Sequence, residues 1–415
     1  MIKTHKKNIE NIFRQSLDLN SSSQIVFEYV TKLYSNNKNI YVVAIGKSAS
    51  TMLEGAISGL GKKFISALHI TKASHISEVV LNHPLIQTII AGHPIPTEDS
   101  LYAGQSLIKL LLNLKTDDQL LFLISGGTSS LVEYLPNSIS GLITIDELIK
   151  LNKWLLASDK SIMEVNQIRK RVSGIKAGRL LDYFKCRNVN SLYISDVPDD
   201  KLKNIGSGLL IQEDLAYEIK NLPSWINKII KRSEKIPESK IHNEKKINSY
   251  IIFSNTLLRK SLVDVAKDNG YSVHNMDDFI SGNTITEAIR IAEWLKKQKS
   301  GIYIWGAETH MTLPTAPGRG GRNQSFALAM ARQIQNMSNI IVLLAGTDGN
   351  DGNTQDAGAI IDCETIKRGE NSGLSATDCL ENANAGVFLS ASGDLLTLGA
   401  TGTNVMDIIM AFVWD

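Results

Sequence analysis

The chain has 415 residues, 43% of them hydrophobic, with 44 basic against 42 acidic residues and a formal net charge of +2. That length suggests two domains with sizeable cores, and so even a balance excludes a global pull toward nucleic acid or an anionic membrane. Cys186, Cys363 and Cys379 cannot all pair and match no metal spacing, and neither an apolar signal core nor a run of about eighteen apolar residues occurs, so a cytoplasmic protein with reduced thiols is expected.

The first thirty-five residues predict one or two helices packed outside the first domain. Short apolar runs then recur: NIYVVAIG from Asn39, FISALHI from Phe64, QTIIAG from Gln87, QLLFLISGG from Gln119, SLYISD from Ser191, SYIIFSN from Ser249, GIYIWGAE from Gly301 and NIIVLLAGTDG from Asn339. Their length and their Ile, Val, Leu and Tyr content predict buried strands. Apolar spacing near 3.6 predicts helices at 100–114 and 284–297. Strands alternating with helices imply a mostly parallel sheet covered on both faces, an α/β protein. The polar, Lys-rich stretch around 222–247 separates the two halves. The expected division is 1–232 with its leading helices, a linker or insertion at 233–247, and a second domain at 248–415.

In open α/β sheets, ligands bind beyond the carboxyl ends of the strands, and here those ends carry most of the glycines and unusual charges. Lys47, just past the first strand, can meet a phosphate or carboxylate, yet Tyr41 stands where a Walker loop needs glycine. His93, in Gly-His-Pro-Ile-Pro, could bind substrate, although a structural histidine in a rigid turn is the favoured reading. Ser125, Gly126, Gly127, Thr128 and Ser129 form a loop suited to cradling an anion through backbone N–H groups. Arg169 and Lys176 lie in a basic run and can reach one anion together. Asp196 sits at a strand end, where a carboxylate can hold Mg²⁺ or accept a proton, whereas Asp199 and Asp200 read as exposed turn residues. Glu308 follows another strand. Gly318, Arg319, Gly320, Gly321, Arg322 and Asn323 then run into an amphipathic helix and form the densest anion-binding signal in the chain. Asp348 and Asp351 lie in a loop unlike a calcium site, because its glycine is misplaced and the closing glutamate is missing.

In this order, the pieces AIGKSAS, GHPIP, ISGGTSSLVEYLP, NQIRKRVSGIKAGRL, SDVPDD with IGSG, GAET, GRGGRNQ, TDGNDG with DAGAIID, and TGTNV resemble the glycerate 2-kinases of the two-domain type with a C-terminal MOFRL domain. Relatives are often labelled hydroxypyruvate reductases. The resemblance implies a Rossmann-like three-layer N-terminal domain, a smaller MOFRL-type α/β domain, and an active site in the cleft between them. It implies transfer of the ATP γ-phosphoryl group to the C2 hydroxyl of D-glycerate, with Lys47 and Arg322 as an important basic pair. On that reading Asp196 or Asp351 orients or deprotonates the hydroxyl. Ser125 to Ser129, Gly318, Gly320, Gly321, Asn323, Arg169 and Lys176 bind substrate or phosphate, and Asp196, Glu308 and Asp348 are candidates for Mg²⁺. Thr128, Asp199 and Ala307 stand where the family carries glycine. His310 and Met311 replace small or β-branched residues, Asn350 an apolar residue and Asn353 a proline. Two rivals stand beside this reading. A nicotinamide-dependent hydroxypyruvate reductase would need a G-x-G-x-x-G fingerprint that no strand here is followed by, and a non-catalytic sugar-phosphate binder would use only the Ser125–Ser130 loop. Monomer and homodimer are both left open.

Overall fold

The computed structural model describes residues 1–34, 39–136, 139, 141–215, 219–237 and 246–415. Thirteen strands lie among them: β1 (Ile40–Ile45), β2 (Phe64–Thr71), β3 (Ile86–Ile90), β4 (Gln119–Ile124), β5 (Asn188–Ile194), β6 (Lys246–Phe253), β7 (Val273–Asn275), β8 (Ile280–Asn283), β9 (Gly301–His310), β10 (Ile340–Gly346), β11 (Gly358–Ile361), β12 (Leu395–Leu396) and β13 (Asp407–Val413). They form two sheets in two compact units, one of residues 22–252 and one of residues 1–21 with 253–415.

The first unit holds a six-stranded sheet in the order β3-β2-β1-β4-β5-β6. β1 pairs in parallel with both β2 and β4, and the β2–β3 and β4–β5 pairs are parallel too. β1 and β4 are buried almost throughout, as strands covered on both faces must be, which is why they read as unbroken apolar runs rather than alternating ones. β3, at the edge, is largely half-exposed. The helix Glu98–Asn113 opens on a capping box between Thr97 and Ser100 and buries Ala103, Leu107, Ile108 and Leu111 at helical spacing. The strand order runs outward in both directions from the β1–β4 pair, so the topological switch point, where open α/β sheets bind ligands, lies at the carboxyl ends of these two strands.

The second unit holds a seven-stranded mixed sheet, β12-β11-β10-β13-β9-β7, with β8 paired to β9. The C-terminal strand β13 inserts antiparallel between β9 and β10. The helix Arg322–Ile334 joins β9 to β10 and is buried along most of its length, packed with Ala288, Ile291 and Leu295 of the helix Thr284–Leu295 in one core.

The division differs from the expected one at two places. The helix Ile2–Leu19 belongs with the second unit: Lys6 Nζ lies 2.5 Å from Asp362 Oδ2 and 2.6 Å from Asp394 Oδ1, and His5 packs on Phe412 and Trp414. The expectation that it packs outside the first domain is thereby corrected, since an ion network and an aromatic cluster hold it elsewhere. Residues 246–252 extend the first sheet as most of β6 instead of opening the second domain. Of the expected linker, residues 238–245 lie outside the described residues. Among the described residues no helix is long and apolar enough to cross a membrane.

Candidate active site

The switch point of the first unit is built by two loops tied to each other. Lys47 N–H donates to Gly126 O at 2.8 Å, Ser48 N–H to Ser125 Oγ at 3.0 Å, and Ser125 N–H to Ile45 O at 3.0 Å. This closeness needs glycine after β1. Gly46 has φ +128°, and a Cβ there would lie 2.2 Å from Ser125 Oγ and 2.7 Å from Ser125 O. Thr128 Oγ1 lies 2.7 Å from Ser125 O and 3.0 Å from Ile45 O, and the residue is fully buried. Its hydroxyl therefore holds the loop from within instead of facing a ligand. Ser129 Oγ pairs with Ser207 Oγ at 2.7 Å.

Asp196, just beyond β5, brings its carboxylate over this loop. A Cβ on Gly126 would stand 2.3 Å from Asp196 Oδ2, and the Gly127 N–H donates to the same carboxylate. Burial pushes Asp196 upward from the usual carboxylate range, and the nearby Lys47 ammonium opposes that shift. Of the loop's backbone donors, the Ser125 N–H is thus taken by Ile45 O and the Gly127 N–H by Asp196.

Arg169, on the helix Ile162–Arg171, is half-buried and donates from Nε to Asn152 Oδ1 at 3.1 Å. Burial lowers its pKa and the Glu133 carboxylate counters this. Lys176 is placed differently from Arg169. It is 1% exposed, and its ammonium is bound by Glu133. The expectation that it binds substrate is corrected: its charge is buried in an internal ion pair, which costs heavily if broken.

In the second unit, the carboxyl ends of β9 and β10, the start of β13 and the start of the helix Arg322–Ile334 bring charge together. Arg322 donates from Nε to Asp407 Oδ2 at 2.7 Å, from Nη2 to Asp407 Oδ1 at 3.2 Å, and from Nη1 to Glu308 Oε1 at 3.3 Å. Burial works to lower the Arg322 pKa, but Asp407, Glu308 and Asp351 outweigh it and raise it, so the guanidinium stays charged. Asp407 is 3% exposed and its pKa is raised by burial, against the pull of Arg322. Asp348 is half-buried after β10 and accepts from Asn350 N–H at 3.1 Å.

The glycine loop before Arg322 is engaged internally. Gly318 N–H donates to Asn382 O at 2.9 Å, Arg319 N–H to Asn384 Oδ1 at 2.9 Å, and Gly320 N–H to Asn353 Oδ1 at 2.9 Å. Asn353 also donates to Gly318 O at 3.1 Å, so the asparagine that replaces the family's proline staples this loop. Asp351 accepts from the N–H groups of Asn323 at 3.1 Å and Gln324 at 2.8 Å. The anion at this helix start is thus a side chain of the protein itself. The N–H groups of Gly318, Gly320 and Asn323 are taken up within the protein, which corrects the expectation that these three cradle phosphate, and Asp351 is engaged as a helix cap, which corrects the expectation that it acts on a hydroxyl. The loop presents Arg322, and Asp351 caps the helix that carries it. Burial lifts the Asp351 pKa to about 7, with the two backbone donors holding it down.

Asp407 was missed from the sequence. The run IIMAFV directly after it marks a strand, and a lone carboxylate at a strand start among glycine-rich loops is the signal that would have found it. Of the other departures, Asp199 is exposed and paired to Lys201 at 3.1 Å, Ala307 is buried in the core, and His310 and Asn350 are exposed.

A family model described as a domain of unknown function (DUF4147) matches residues 8–232, and the MOFRL family model matches residues 301–407. The D-glycerate 2-kinase of Thermotoga maritima is 31% identical over 98% of both chains. The glycerate 2-kinase of Pyrococcus horikoshii is 29% identical over 90% of this chain and 87% of its own. The crystal structure of the Thermotoga maritima glycerate kinase matches with a TM-score of 0.85 at 28% identity, over 99% of this chain and 100% of that one. Two charged clusters at the carboxyl ends of two α/β sheets, under both family models and beside relatives that match end to end, place the chain in the glycerate 2-kinase family of enzymes, of the two-domain type with a C-terminal MOFRL domain.

Proposed function

We propose that this kinase transfers the γ-phosphoryl group of ATP to the C2 hydroxyl of D-glycerate, forming 2-phosphoglycerate and ADP. The observation that carries the reading is that the Lys47 ammonium lies near enough to act on the half-buried Asp196 carboxylate, which stands over the Ser125–Gly127 loop at the switch point. Phosphoryl transfer is mostly positioning and charge stabilisation, and this pair supplies both a cation and a carboxylate. Lys47 balances charge on the acceptor carboxylate or the transferred phosphoryl group. Asp196, with its pKa raised, is suited to orient the C2 hydroxyl and take its proton. Arg322, kept charged and aimed by Asp407, serves the phosphoryl oxygens. Arg169 adds a second basic group near the switch point.

Magnesium binds few carboxylates and keeps oxygens from water or phosphate. Asp196, Glu308 and Asp348 each offer a single carboxylate that would hold such an ion; among the described residues no group of three or more His, Cys, Asp or Glu is placed to hold a metal. Bound with the nucleotide, the ion would neutralise phosphate charge. The reductase alternative is disfavoured by the turn after β1, Gly46-Lys47-Ser48-Ala49, which lacks the dinucleotide fingerprint although the strand order is one that dinucleotide-binding sheets use.

The test is a coupled assay with ATP, Mg²⁺ and D-glycerate on the wild type, Lys47→Ala and Arg322→Ala. Turnover in the wild type and its loss, by about a hundredfold or more, in both variants is expected. Unchanged turnover in the two variants would remove the role assigned to them.

A further inference from the structure

His93 lies between β3 and the helix Glu98–Asn113 and reaches the glycine loop after β4. A Cβ on Gly127 would lie 2.9 Å from His93 Cδ2, 3.2 Å from His93 Nε2 and 3.4 Å from Lys47 Cγ. One point above Gly127 is therefore flanked by the imidazole on one side and the Lys47 stem on the other, at the switch point. The side chain is half-buried, so solvent and a small ligand reach it.

The groups that act most strongly on this ring are basic. Lys47 follows β1, Lys72 and His75 follow β2, and Arg169 stands on the helix Ile162–Arg171. Burial and these four groups drive the His93 pKa down to about 3. A rigid-turn histidine needs no such company. Asp196 is the carboxylate beside this loop; it accepts from the Gly127 N–H and lies against Gly126. The His93 imidazole, kept neutral beside basic groups, is a hydrogen-bonding group suited to an incoming anion.

We propose that His93 is a substrate-binding residue, hydrogen-bonding a small oxyanion (the acceptor's carboxylate or a phosphate group) held over Gly127 with Lys47 and Arg169. The inference deepens the kinase reading and rests on it for the identity of the ligand. The anion offsets the surrounding cations, so the His93 pKa rises on binding and the complex takes up a proton as pH falls toward the new value. No bond is made or broken in this step; the proton comes from solvent.

The experiment is a pH titration of histidine imidazole signals in the full-length ¹⁵N-histidine-labelled protein, with His93 assigned by its loss in His93→Gln or His93→Asn. The protein is titrated free, with D-glycerate, and with inorganic phosphate. We expect His93 to stay neutral from about pH 5 to 8 when free, and to shift upward by about one unit or more with an anion. A response to D-glycerate alone assigns the carboxylate, and a response to phosphate alone assigns a phosphoryl group. We also expect His93→Gln to raise the KM of the matching substrate about tenfold, with kcat changed less. If neither anion alters the His93 signals, the proposal is overturned, even where D-glycerate is phosphorylated. If phosphate shifts His93 while D-glycerate is not a substrate, the glycerate reading fails and the site stands.

Discussion

Replacing Asp407 by asparagine tests how Arg322 is held. The substitution keeps the shape and one acceptor oxygen but removes the charge and one of two hydrogen bonds, at 2.7 and 3.2 Å. A hydrogen bond to a charged group contributes about 1.5–3 kcal/mol. Arg322 is 34% exposed, so water replaces part of the lost contact. About 2 kcal/mol of positioning energy is left, or roughly thirtyfold in kcat/KM. Stability responds less. Asp407 is 3% exposed and its pKa is raised by burial, so removing its charge also relieves a desolvation cost. The melting temperature should fall by only about 2–5 °C. Steady-state kinetics beside a thermal melt separate the two effects. A fall in melting temperature with kcat/KM intact would show that Asp407 braces the fold and does not aim Arg322.

Gly126→Ala places a methyl group 2.3 Å from Asp196 Oδ2. The carboxylate must swing away, which should cost about 1–3 kcal/mol of stability and lower kcat more than it raises KM, read by melts and kinetics. Gly46→Ala is expected to be worse, because φ +128° and a backbone clash with Ser125 act together; soluble yield and a melt check it. For Asp351, whose folded pKa of about 7 lies above the unfolded value, the folded state binds the proton more tightly. Its contribution is therefore greatest at low pH and is lost as pH rises through about 7, by up to about 1.4 kcal/mol per unit. Denaturant unfolding from pH 4 to 8 should show wild type losing stability relative to Asp351→Asn; a flat difference would refute the shift. Glu133→Gln leaves the buried Lys176 without its counter-charge and should cost about 3–5 kcal/mol, seen as a large drop in unfolding midpoint.

The eight apolar runs read from the sequence became β1–β6, β9 and β10; β1, β4, β9 and β10 are buried on both faces and so leave an unbroken apolar trace, while the half-exposed β3 and β6 were legible from their Ile and Tyr content. The ends of β1, β4 and β5 were legible as a candidate site, because glycine and charge at those points serve no core. β7, β8, β11, β12 and β13 were not read. The first four are short, and only contacts between distant segments define them. The N-terminal helix could not be assigned by order along the chain, since Lys6 finds its carboxylates at Asp362 and Asp394. Charge in the sequence also does not say where a charge points. Lys176 and Asp351 had the composition of ligand-binding residues, and the fold turned one into an ion pair and the other into a helix cap. His93 went the other way, from a turn residue to the neighbour of Lys47 over Gly127.

The most direct test is to run the wild-type enzyme with ATP, Mg²⁺ and D-glycerate and identify the product by ³¹P and ¹H NMR. The phosphoryl group should appear on the C2 oxygen, with Lys47→Ala and Arg322→Ala giving no detectable product under the same conditions. Phosphorylation at C3, NADH-dependent reduction of hydroxypyruvate in place of transfer, or full activity in either variant would contradict it.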